Sequence, residues 1–76
     1  MDIYSINGLV RLKHPNTGAI LLEYDPADLP APGSVPILLQ TTSVTLHGES
    51  IPIALYLLPN GMLQVVAGDY IFSWTP

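Results

Sequence analysis

Tyr70, Phe72 and Trp74 alternate near the end of the chain, so in a strand their side chains share one face. A row of this kind can stack on sugar rings or bases. The same spacing is also the core face of a closing strand. Three of the chain's six aromatic residues fall here, and a small domain needs such residues to fill its core, so the row reads as core or subunit interface. A sugar platform would also want flanking polar groups, and Ile71, Ser73 and Thr75 point the other way.

Glu23, Asp25 and Asp28 form the one acidic cluster. Calcium takes six to eight oxygen ligands, commonly from alternating loop positions with a glycine at the tight turn. Two aspartates separated by Pro26-Ala27 fall short of that. As an acid/base pair they lack a partner that would drive their pKa values apart, whereas Asp25-Pro26 is a turn-initiating dipeptide. His14 and His47 each end a strand, and a triad would need a nucleophile and an orienting acid beside one of them. None of the five serines lies in Gly-x-Ser-x-Gly, and no phosphate-cradling or dinucleotide glycine pattern occurs. The chain has no cysteine, which excludes disulfides and thiolate zinc sites. The expectation is a non-enzymatic protein with no catalytic residues, no metal and no cofactor.

Charge is scarce and unevenly placed. Charged residues make up 11% of the chain, whereas soluble surfaces are designed with about 25–35%. After Asp28 only Glu49 and Asp69 are charged. Two cations against six anions leave a net charge of −4, too little positive charge to neutralise phosphates or bind anionic lipid. No basic n-region with an apolar h-region opens the chain, and no apolar run approaches the ~20 residues of a membrane-spanning helix. The expected location is a virion, or the cytoplasm of a cell if the protein is not viral.

The elements that would carry these residues are short strands. Residues 3–13 alternate and read as one strand, with Tyr4, Ile6, Val10 and Leu12 on one face and Gly8 as a bulge or kink. His14-Pro15-Asn16-Thr17-Gly18 turns that strand into residues 19–24. Residues 25–36, with four prolines, form a crossover loop or an arm. Residues 37–47 make a third strand and Ile51–Leu58 a fourth. Pro59-Asn60-Gly61 turns the fourth into residues 62–67, and Gly68-Asp69 leads into the last strand. The fold is therefore expected to be all-β, a small antiparallel barrel or sandwich of about six strands without significant helix, in a single domain spanning residues 1–76.

Both faces of Ile51–Leu58 are apolar, which calls for cover on both faces. A chain of 76 residues has few layers to supply it. The candidate interface comprises Ile51, Ile53, Leu55 and Leu57 with Tyr70, Phe72 and Trp74. Small, cysteine-free, charge-poor, proline-rich β-proteins of this kind resemble the cement or decoration proteins of bacteriophage capsids. The resemblance rests on size, composition and strand pattern. It implies a structural subunit that forms a homo-oligomer, such as a trimer, and clamps onto a larger protein lattice. The alternatives are a binding module or inhibitor engaging one target protein, and a carbohydrate-binding module using the Tyr70/Phe72/Trp74 face.

Overall fold

The computed structural model describes residues 2–6 and 8–75. They form seven strands in two antiparallel sheets. The first sheet is a meander of β1 (Asp2–Ile6), β2 (Leu9–Lys13) and β3 (Ile20–Tyr24). The second is a meander of β4 (Ile37–Leu46), β5 (Glu49–Leu57), β6 (Leu63–Ala67) and β7 (Tyr70–Trp74). The two sheets do not close into a barrel. Residues 25–36 link them and contain one short 3-10 turn, Pro26–Asp28, capped by the Asp25 side chain accepting from the Ala27 N–H at 2.9 Å.

The seventh strand comes from splitting residues 3–13. Ile6 pairs with Leu9, so the chain reverses across Asn7-Gly8, with Gly8 at φ +81°. Asn7 itself lies outside the described residues. The hairpin changes which side chains share a face. Ile3 stands opposite Leu12 and Ser5 opposite Val10 on the inner face, while Tyr4 stands opposite Arg11 on the outer face. Tyr4 therefore does not share a face with Val10 and Leu12; the side chain of Ile6 lies outside the described residues.

The remaining turns follow local backbone chemistry. His47 and Gly48 both have positive φ (51° and 78°) between the paired residues Leu46 and Glu49. Those angles fit a two-residue turn whose twist matches the flanking strands. At the β5–β6 turn the Gly61 N–H donates to the Leu58 carbonyl (2.9 Å) and Asn60 Oδ1 accepts from the Met62 N–H (3.0 Å). Pro52 is tolerated in β5 because the pairing of β5 with β6 begins only at Ile53.

One core joins the sheets. Val10, Leu12 and Leu22 come from the first sheet; Val44, Ile53, Leu55, Leu57, Leu63, Val65 and Ala67 come from the second. The Cα envelope of 37 × 27 × 15 Å fits two layers about 10 Å apart. The sheets differ in width. At about 4.8 Å per strand, three strands span roughly 14 Å and four span roughly 19 Å. β3 and β4 approach each other on one side, so the strand left with the least cover is β7, on the far side.

Candidate functional site

β7 pairs with β6 so that Tyr70, Phe72 and Trp74 stand opposite Ala67, Val65 and Leu63, all three of which are buried. The aromatic row therefore belongs to the inner face of its sheet, yet Tyr70 is 40% and Phe72 43% exposed. Trp74 is half-buried and packs on the core. The rings form a continuous row, with centroids 6.4 Å apart from Tyr70 to Phe72 and 5.9 Å apart from Phe72 to Trp74, and interplanar angles of 6° and 29°. They stand in this half-covered state because the first sheet runs out before it reaches β7.

On the opposite side of this seam is β1, the free edge of the first sheet. Between the two edges lies an open groove of about 300 Å³ lined by Ile3, Tyr4, Ser5, Val10, Phe72 and Trp74. None of these residues is charged; Ser5 and Trp74 bring a hydroxyl and an indole N–H from the inner face, whereas the Tyr4 side chain belongs to the outer face with Arg11. Tyr4 also touches the chain's two cations. The Lys13 ammonium sits 5.7 Å from the centre of the Tyr4 ring. Hydrogen bonding to Tyr4, and then to Glu23, raises the Arg11 pKa above its ordinary value. Arg11 Nε donates to Glu23 Oε2 at 2.6 Å across the outer face of the first sheet.

A second surface lies on the outer face of the four-stranded sheet. Strand pairing sets Leu38, Tyr56, Gln64 and Ser73 in one row across it and Thr41, Ala54, Val66 and Ile71 in the next. Ser43 beside Pro52 and Thr45 beside Ser50 continue it towards the β4–β5 turn. No charged side chain stands in these rows, and Leu38 (54%) and Ile71 (62%) are exposed. Gln64 Nε2 donates to Ser73 Oγ at 3.3 Å. The outer face of the first sheet, by contrast, carries Arg11, Lys13 and Glu23.

Of the residues singled out by sequence, Ile53, Leu55 and Leu57 are buried in the core of the single chain, so their inward apolarity is met by the first sheet. Ile51 is half-buried and packs on the same core. The uncovered side of β5 is the other one, carrying Ala54 and Tyr56. Glu23 is paired with Arg11 and Asp25 caps a turn. His14 Nδ1 accepts from the Asn16 and Thr17 N–H groups at 3.0 and 3.2 Å, and His47 is exposed in the turn of a hairpin in the other sheet. Among the described residues no three His, Asp or Glu side chains are placed to hold a metal ion. No described helix is long and apolar enough to cross a membrane.

Sequence reasoning missed the groove and the pairing of Tyr4 with Arg11. The signal for both was Asn7-Gly8, the strongest two-residue hairpin signature. No family model, no curated protein and no solved structure matches this chain.

Proposed function

We propose that this protein is a non-enzymatic assembly subunit that works through protein–protein contacts and forms a homo-oligomer. The observation that carries the reading is the unequal charging of its two outer faces. One sheet presents Arg11, Lys13 and Glu23 to water, while the other presents rows with no charge and with exposed Leu38 and Ile71. Depletion of charge around an apolar centre is the compositional mark of a contact surface. Within this class, the size, charge-poor composition and strand pattern favour a cement or decoration-type protein on a virion lattice. Light scattering at increasing concentration tests the reading: the mass should settle at a multiple of 8.2 kDa. A monomer that persists to millimolar concentration refutes the homo-oligomer.

A second reading, a binding module for one target protein, is favoured by the seam. β1 and β7 each have an unpaired edge beside the apolar groove, and an extended peptide can add to such an edge while its side chains enter the groove. Trp74 lines that groove and is the chain's one tryptophan, so its emission would report occupancy. The aromatic row on its own supports the carbohydrate-binding alternative less well, since among the described residues lining the groove only Ser5 and Trp74 bring a polar side-chain group from the inner face.

A further inference from the structure

We infer that the outer face of the four-stranded sheet packs against the same face of a second copy, as a two-fold dimer. The inference rests on the assembly reading and names the partner of its uncharged surface. The structure already accounts for the core. Its accessible surface of 4569 Å² is close to the roughly 4,500 Å² usual for a folded monomer of 8.2 kDa, so no partner is needed to hide unburied interior. What remains unusual is the composition of this one face.

Three properties fit it to a second copy. Electrostatics come first. The chain carries a net charge of −4, and apposing two charged faces of like copies adds repulsion, yet these rows contain no charge to repel. Glu49 and Asp69 lie at the hairpin ends of the sheet, outside the rows.

Hydrogen-bonding chemistry comes second. The polar members of the face are one amide, Gln64, and hydroxyls, among them those of Thr41, Ser43, Ser50, Tyr56 and Ser73. Each can both donate and accept, so an identical set can satisfy it, which a row of carboxylates or ammoniums could not do. A two-fold contact demands this self-complementarity, because each patch meets itself. It also favours a pair over a trimer.

Area comes third. β4 and β5 have 10 and 9 residues, and β6 and β7 have 5 each. At about 3.3 Å per residue and about 4.8 Å per strand, the face has a footprint of roughly 450 Å². Two copies then bury about 900 Å² before side-chain relief is counted, near the ~1,000 Å² that a specific interface must reach. Ala54, Val66 and Thr41 keep the centre low, so two such sheets can approach to the usual ~10 Å. A contact of this size is reversible and depends on concentration.

The test is sedimentation equilibrium on the full chain, with wild type compared with Ile71→Lys, Ser43→Lys and, as control, Ile20→Lys on the other sheet. Ile71, Ser43 and Ile20 are all exposed in the single chain, so each variant should keep its fold, which far-ultraviolet circular dichroism checks. Wild type and Ile20→Lys should reach twice the 8.2 kDa chain mass. Ile71→Lys and Ser43→Lys should raise the dissociation constant by at least about a hundredfold, since the two-fold places two uncompensated ammonium groups in every dimer. A dimer that persists in both face variants, or a wild-type trimer, overturns this inference and leaves the assembly reading standing. A wild-type monomer at millimolar concentration removes both.

Discussion

The open seam predicts that two large apolar residues on the same inner face differ sharply in what their removal costs. Leu55 is 0% exposed at the centre of β5, and Phe72 is 43% exposed on β7. Leu55→Ala leaves a cavity enclosed by both sheets. Buried Leu→Ala changes cost about 2.7–5.0 kcal/mol, so about 3 kcal/mol is expected. Phe72→Ala removes a ring whose site opens to water, so no sealed void is left. A little over half of its roughly 200 Å² is covered, and about 100 Å² of that belongs to atoms that alanine lacks, which at about 25 cal/mol per Å² sets an upper bound of about 2.5 kcal/mol. Compactness of the denatured chain lowers that to about 1.5–2 kcal/mol. Urea unfolding followed by Trp74 emission, at a concentration low enough to keep the chain monomeric, reads both. With a slope of about 1 kcal/mol/M, the midpoint should fall by about 3 M for Leu55→Ala and by about 1.5–2 M for Phe72→Ala. A chain of 76 residues has about 4–11 kcal/mol to lose, so both variants should fold. Equal losses at the two positions would mean that β7 is fully covered in solution, and the open groove would be refuted.

Other outcomes follow from single turns and pairs. His47 holds φ 51° in a two-residue turn, so His47→Gly relieves a left-handed backbone and should raise the melting temperature by a few degrees; a fall would refute the turn assignment. His14→Ala removes an acceptor used by two backbone N–H groups and should cost about 1 kcal/mol in urea unfolding, with His14→Asn restoring part of it. The Arg11–Glu23 pair lies on an exposed face, so Arg11→Met should leave the unfolding midpoint within experimental scatter and insensitive to salt.

The strand content was readable from the sequence because alternation and turn chemistry agree at most positions. Pro59-Asn60-Gly61 and Gly68-Asp69 both mark real reversals, and Gly61 and Gly68 have the positive φ their turns require. The miss at residues 3–13 has a geometric cause. A strand repeats every two residues, and a two-residue turn advances the chain by one full period. Alternation therefore runs unbroken through Asn7-Gly8 while the faces exchange, which carried Tyr4 to the outer side with Arg11. Only the Asn-Gly pair breaks that symmetry. The cover over Tyr70, Phe72 and Trp74 was not legible in β7 at all. It depends on how far three strands from residues 2–24 reach across a sheet built from residues 37–74, a relation between distant segments that no local pattern encodes.

The two surfaces left uncovered have different origins, and that difference bears on what each can do. The seam is a consequence of counting: three strands laid over four leave one strand half-dressed, and its exposed groups are residues that would be core if the upper sheet were wider. Such a surface is concave, bordered by two free edges, and suited to something thin enough to fill the missing strand position. The outer face is a consequence of composition. Nothing in the packing of β4–β7 requires Leu38, Val66 and Ile71 to stand on the water side, because Ile53, Leu55, Leu57, Leu63 and Val65 already fill the interior. Charged or long polar residues there would cost the core nothing, and two-sided polarity is the usual answer for an antiparallel sheet with one solvated face. An uncharged face that stability does not demand, on a chain that places Arg11, Lys13 and Glu23 on the opposite sheet, is the ground on which a partner meeting it flat on is proposed. The groove and the face lie on opposite sides of the four-stranded sheet, so the two proposed contacts, an inserted segment and a second copy, do not compete for the same residues.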